Sequence, residues 1–224
     1  MDFTPLILSA KLALVSTVLL LLIALPTAYF LVFKKVRGKF FLESLVGLPL
    51  VVPPTVLGFY LLIIMGPEGF LGQGWTALTG WPLAFTFAGL VGASLVQGFP
   101  FAVQPIKAAF EKLDFRLLEM ACVLGLTPLQ AFFKIVIPNT LNGLVAAAVL
   151  TFAHTMGEFG IILMVGGSIP GKTKVASIAV YEYVENLQYH EAAVMSLIMI
   201  GVSYAILLMV NYLNEGQAKA LSPV

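Results

Sequence analysis

Thr151, His154, Thr155 and Glu158 follow one another at steps of three and four, so on a helix they form a single polar stripe. An imidazole one turn from a carboxylate can pass a proton, and a proton-coupled carrier using His154 and Glu158 is one reading of that stripe. A metal centre is not, because two ligands do not close a coordination shell. An intramembrane enzyme would need further catalytic partners that the flanking sequence does not provide, so no catalytic residue is assigned. The acid is set in Gly157-Glu158-Phe159-Gly160, which reads as a gate: the glycines allow close approach and Phe159 can plug a narrow passage. A carboxylate at a bilayer centre costs about 2.5–3.5 kcal/mol on insertion scales, which places Glu158 at a water-filled mouth or at the interface. An ordinary interfacial helix end is the alternative.

A second motif is Gly166-Gly-Ser-Ile-Pro-Gly171-Lys172-Thr173, which meets the phosphate-loop spacing literally. Such a loop needs a buried strand before it and a cytosolic position. Here it follows an apolar helix on the outer side, so a nucleotide site in this chain is rejected, and no cofactor is expected.

The stripe belongs to a chain made for lipid. Hydrophobic residues make up 60% of the 224 positions and charged residues 10%, against about 25% charged in soluble domains. A net charge of +1 gives no reason to expect a nucleic-acid partner. Cys122 is the only cysteine, which excludes an internal disulfide. No linker or low-complexity tract divides the chain, so 1–224 reads as a single domain.

Runs of roughly 20 apolar residues mark five expected spans, at about 8–33, 44–66, 81–105, 139–164 and 192–214. The first is too long for a cleaved signal sequence, and its basic flank follows it. Val175 to Tyr181 is too short to cross, and whether 172–190 forms a re-entrant or gate helix is left open. Lys34, Lys35, Arg37, Lys39, Lys107, Lys112, Arg116, Lys134 and Lys219 fall on one side of these spans. Lys11, Lys172 and Lys174 fall on the other. Retention of positive charge in cytoplasmic loops then places the N-terminus outside and the C-terminus inside.

Three prolines, Pro49, Pro53 and Pro54, interrupt the second span just before Thr55 and Gly58, removing backbone donors. Freed backbone groups in lipid need protein or water as partners, so this segment is expected to face the bundle interior, as a path lining or a packing kink. Gln97 and Gln104, seven apart, are expected on one inward face of the third span. No Lys or Arg lies centrally in any span, which describes a passage with little affinity of its own.

The interval 107–138 reads as helix, turn, helix. Asp114 is a candidate N-cap, Gly125 a candidate C′ glycine, and Thr127-Pro128-Leu-Gln130 a capping box. Leu117, Leu118, Ala121 and Leu124 supply an apolar face, with Glu111, Arg116 and Glu119 as polar flanks: a rigid projection that can dock a partner.

Glu119-Met-Ala121, then Gly125, then Ile135-Val-Ile-Pro138 resembles the Glu-Ala-Ala loop of ABC importer permeases, with Met120 and Ile137 as apolar departures. Leu48-Pro-Leu-Val-Val-Pro-Pro54-Thr-Val-Leu-Gly58-Phe-Tyr, Gly157-Glu-Phe-Gly160 and Ser168-Ile-Pro-Gly171-Lys-Thr173 are similar to the molybdate branch of the oxyanion importers, with sulfate permeases near. The resemblance implies an all-α membrane protein: the five-span core of a type I ABC importer permease with a cytoplasmic helix-turn-helix coupling loop. It implies a homodimer in the cytoplasmic membrane, passing molybdate or tungstate handed over by an external oxyanion-binding protein, with a sulfate-type oxyanion permease as the alternative. ATP and magnesium would sit on a separate ATPase subunit. Asp114, Arg116, Glu119, Ala121, Gly125, Thr127 and Pro138 would serve the ATPase joint. Pro53, Pro54, Thr55, Gln97, Thr151, His154, Gly157, Glu158 and Phe159 would serve path and gate. Some family members carry an additional N-terminal helix that wraps the partner; the chain starts at the core five, so its dimer contacts are expected to differ.

Overall fold

From Thr4 to Phe33 the only charged residue is Lys11, and the segment forms one 30-residue helix, α1. At about 1.5 Å per residue it is about 45 Å long, more than the hydrocarbon core requires. A computed structural model describes residues 2–34 and 37–221, with side chains throughout except at Cys122 and 209–221. Lys35 and the side chain of Lys219, both counted in the charge asymmetry, lie outside this description. Helices α2 (Lys39–Val51), α3 (Pro54–Met65) and α4 (Phe70–Thr79) follow. Then come α5 (Phe87–Glu111), α6 (Phe115–Val123), α7 (Pro128–Ala131), a π turn (Phe132–Val136), α8 (Ile137–Asn139), α9 (Leu141–Gly157), α10 (Gly160–Gly166), α11 (Ala176–Glu185) and α12 (Tyr189–Leu221).

Helices α1, α5 and α12 are each long and apolar enough to cross a membrane. Two bent pairs bring the number to five if each counts as one span: α2 with α3, at 107°, and the Pro128–Asn139 segment with α9, at 70°. The stretch 44–66 is therefore not one rod. Pro53 and Pro54 lack the N–H groups that would continue α2, and Val52 in front of them is extended. The third span begins at Phe87 rather than 81. Trp81 to Thr86 is irregular, Phe85 sits at φ 59° with its N–H on the Val165 carbonyl, and the Thr86 hydroxyl caps α5 by accepting from the Gly89 N–H at 3.2 Å. The same helix runs on to Glu111, so the first five residues of the 107–138 interval are the end of α5. The stretch 139–164 is broken at Glu158–Phe159, and the short apolar piece near 175 is the ten-residue α11.

Helices α1, α5 and α9 pack on one another, while α3 lies along α10. Two apolar clusters divide the core. One joins Leu20, Ala24 and Leu31 to Ile106, Phe110 and Val136; the other joins Leu12 to Leu61, Met65, Leu90, Ile161 and Ile178. Along α1, α5 and α9 the positions between them are polar: Ser16, Thr17, Ser94, Gln97, Thr151 and Thr155, each nine-tenths buried or more and with a side-chain oxygen unbonded within the chain.

Candidate functional site

Both helix breaks fall at one place. Pro53 ends the bend after α2, Pro54 opens α3 as its first residue, and Glu158–Phe159 separates α9 from α10. A Cβ on Gly160 would lie 3.1 Å from the Pro54 Cβ and 3.5 Å from the Thr55 Cγ2. One on Gly58 would lie 2.8 Å from the Met164 Cβ and 3.1 Å from the Ile161 Cα. Glycine is thus required at 58, where α3 presses directly on α10. The first turn of α3, with Pro53, Pro54 and Thr55, is exposed. It does not face the interior of its own bundle, contrary to expectation, because the 107° bend swings it onto the flank of the chain and buries only Gly58, Leu61 and Met65 on α3.

The polar stripe splits in two. Thr151 and Thr155 point into the junction with α1 and α5, where a Cβ on Gly98 would meet Leu20 at 2.7 Å and Thr151 at 3.8 Å. His154 instead stacks on Phe101, ring centroids 4.0 Å apart, and its Nε2 lies 2.8 Å from the Glu158 carboxylate. Glu158 is only 7% exposed, so it is covered rather than open at a mouth. The imidazole is the carboxylate's nearest side-chain partner there, close in distance although the Nε2 is out of line for a hydrogen bond. The Glu158 carbonyl accepts a 2.6 Å hydrogen bond from the Ser177 hydroxyl, tying the break to α11. Phe159 is half-buried, its ring 5.2 Å from that of Tyr181, and Gly157 is exposed. Gln97 is buried while Gln104 is exposed, so the two glutamines do not share an inward face: the side of α5 that carries both is covered at 97 and open at 104, while the opposite side stays in the core through Ile106 and Phe110. Gln97 and Thr151 lie in the three-helix junction, apart from the exposed elbow of Pro53–Thr55.

Beyond α5 the chain makes a tight projection. The Asp114 carboxylate accepts from the Arg116 N–H at 3.0 Å and starts α6. Gly125 ends it at φ +75°, and the Leu126 N–H returns to the Ala121 carbonyl at 3.0 Å, the six-to-one bond of a Schellman turn. Thr127 and Gln130 exchange both capping-box bonds, at 3.0 and 3.3 Å, with Pro128 at the first helical position. Ala121 is buried, whereas Arg116, Glu119, Gly125, Thr127 and Pro138 are exposed. Leu117, Met120, Val123, Leu124, Leu129 and Phe133 are exposed too.

What sequence reasoning missed is how the projection is anchored. Phe33 of α1 stacks near Phe110 and Phe115, and Tyr29 meets Phe132 edge-on at 5.3 Å, so one aromatic cluster joins α1, α5 and the hairpin. Lys107 Nζ lies 2.6 Å from Glu43 Oε1, linking the base of α5 to α2. No spacing rule pairs residues so far apart. The Gly166–Thr173 segment is not a phosphate loop: helix α10 precedes it, Gly166 packs against Leu90, and the Thr173 hydroxyl is held by the Ile169 N–H at 3.0 Å.

Residues 20–221 match the family described as binding-protein-dependent transport system inner membrane component. The chain belongs to that family. As a member it is a multi-pass inner-membrane protein. It is 46% identical over 191 residues to the molybdenum transport system permease protein ModB of Azotobacter vinelandii, covering 85% of this chain and 84% of the relative. It is 33% identical over 222 residues to ModB of Haemophilus influenzae, covering 99% and 97%. Among solved structures it superposes on the MetNI methionine ABC transporter in an inward-facing conformation with a TM-score of 0.73 at 17% identity, covering 95% of this chain and 94% of that one. The fold is that of the type I ABC importer permeases.

Proposed function

We propose that the chain is the permease subunit of an ATP-driven importer for molybdate and tungstate, working as a homodimer by alternating access. The observation that carries this reading is the contact between the two helix breaks. The N-terminus of α3 opens at an exposed elbow between two half-helices, and it lies against Gly160 beside the break that holds Glu158. A helix N-terminus favours an oxyanion without a fixed cation, and discontinuous helices line substrate paths in many carriers. Thr55, through its hydroxyl and its N–H, would touch the passing anion, since Pro54 has no N–H and those of Val56 and Leu57 are bonded to the Pro53 carbonyl. Pro53, Pro54, Gly157 and Phe159 would shape the passage, and Gln97, Thr151 and the His154–Glu158 pair would brace it. A second copy would cover the exposed elbow and close the path between two chains. The relatives named for molybdenum transport support the cargo.

The capped hairpin of Asp114 to Pro138 would seat in the ATPase subunit, with Arg116, Glu119 and the exposed Met120, Val123 and Leu124 at the joint. An external oxyanion-binding protein would deliver the cargo on the opposite face. Proteoliposomes holding the assembled transporter test this: radiolabelled molybdate should enter only with ATP and binding protein, and excess tungstate should compete while sulfate does not. Uptake that persists without ATP and collapses with the proton gradient would overturn the reading in favour of a proton-coupled carrier.

A further inference from the structure

A cavity of about 500 Å³ opens between the start of α1, the Trp81–Phe87 segment and the loop after α10. Its walls include Leu8, Lys11, Trp81, Phe85 and Lys172. Lys174, nearby in sequence, is bonded to Glu182, but among the described residues Lys11 and Lys172 have no acidic partner. Lys11 Nζ instead stands 5.0 Å over the Phe87 ring. Two cations that line one groove without a counter-charge require an anion or water in front of them.

Depth identifies the anion. Lys11 falls on a stripe of α1 whose other members, Ile7, Leu14, Val18 and Leu22, are 69%, 61%, 51% and 67% exposed. An apolar stripe left uncovered along a spanning helix is a lipid-facing one. Between Lys11 and Lys34 the chain is uncharged over residues 12–33, which at about 1.5 Å per residue is about 33 Å of helix, close to the thickness of a hydrocarbon core. Lys11 therefore stands where acyl chains give way to headgroups. Trp81, 73% exposed on the groove wall, is the residue expected at that depth. The wall is firmly held: the Phe85 N–H bonds the Val165 carbonyl at 3.0 Å and Thr86 caps α5.

We propose that this groove binds the phosphate of an anionic phospholipid in the leaflet nearest the N-terminus, with Lys11 and Lys172 as its cations. The proposal rests on the chain spanning the bilayer and is independent of the cargo. Benzoylphenylalanine in place of Trp81 reads the site directly in the assembled transporter, reconstituted in phosphatidylglycerol or in phosphatidylcholine. We expect cross-linking to phosphatidylglycerol at least several-fold above phosphatidylcholine, and a loss of that preference in the Lys11→Gln, Lys172→Gln double variant. Equal cross-linking of both lipids, or a preference unchanged in the double variant, overturns it. Displacement of the lipid by millimolar phosphate or molybdate also overturns it, in favour of a free-oxyanion site, as does a cross-link to a second copy or to the binding protein. The same probe in place of Val18 should label acyl chains of either lipid. Failure there overturns the depth assignment itself, a result distinct from failure at position 81 alone.

Discussion

Gly125 stands at φ +75° with open space where a Cβ would go, so its requirement is conformational and not one of room. A β-branched residue there pays roughly 1–2 kcal/mol for the left-handed geometry, whereas asparagine tolerates it. Gly125→Val should sharply lower ATP-driven uptake with normal membrane insertion, and Gly125→Asn should keep most of it; equal uptake in both would show that the turn does not transmit force. His154 is a different kind of residue. Its removal leaves a covered carboxylate without its neighbour, and a buried polar group left unsatisfied costs about 1–3 kcal/mol. His154→Ala should therefore lower the thermal unfolding midpoint measured in detergent by several degrees, and adding Glu158→Gln should restore part of it. A double variant as unstable as the single one would deny the pairing its role. The sequence showed that these residues shared a stripe. It could not show that Thr151 and Thr155 turn into the bundle while His154 finds Phe101, because helical spacing fixes the face of a residue but not the neighbour across it.

At the scale of elements, the prolines did more than kink a helix. They bent the second span by 107° and exposed the first turn of α3, and a glycine on each side brings α3 against α10. Gly58→Leu would set a side chain where a Cβ alone stands 2.8 Å from Met164. Such overpacking costs typically about 1–3 kcal/mol and would push α3 off α10. Uptake should fall severely while the hairpin still binds the ATPase in a pull-down; loss of both together would mean a global folding defect instead. The hairpin was the most legible element, since its cap residues are local: the capping box and the Schellman turn need contacts only within a few residues. Its fastening through Phe33, Phe110 and Phe132 was not legible, because those rings come from three separate helices.

For the whole molecule, three helices are long and apolar enough to cross, and five crossings, the count when each bent stretch is one span, are the odd number that puts the two ends on opposite sides. The basic residues counted along the chain favour the C-terminus inside. A fluorescent protein fused after Val224 should therefore glow in intact cells, and an alkaline phosphatase fused at the same point should be inactive. The opposite pattern would invert the molecule and move the hairpin to the wrong side for an ATPase. A polar band of unbonded side-chain oxygens separates the two apolar clusters, and the unbroken helices α1 and α5 run through both.

By itself, the sequence determined the solvent, the number of apolar stretches, the sign of their flanks and the caps of the hairpin. All of these follow from composition or from contacts within a few residues. Only the tertiary structure decided that the two helix breaks touch, that Glu158 is covered and paired, that Gln104 leaves the core while Gln97 stays, and that Lys11 and Lys172 line one groove. Each of those depends on residues from different helices meeting, and the crossing of helices is set by side-chain packing that no single periodicity records.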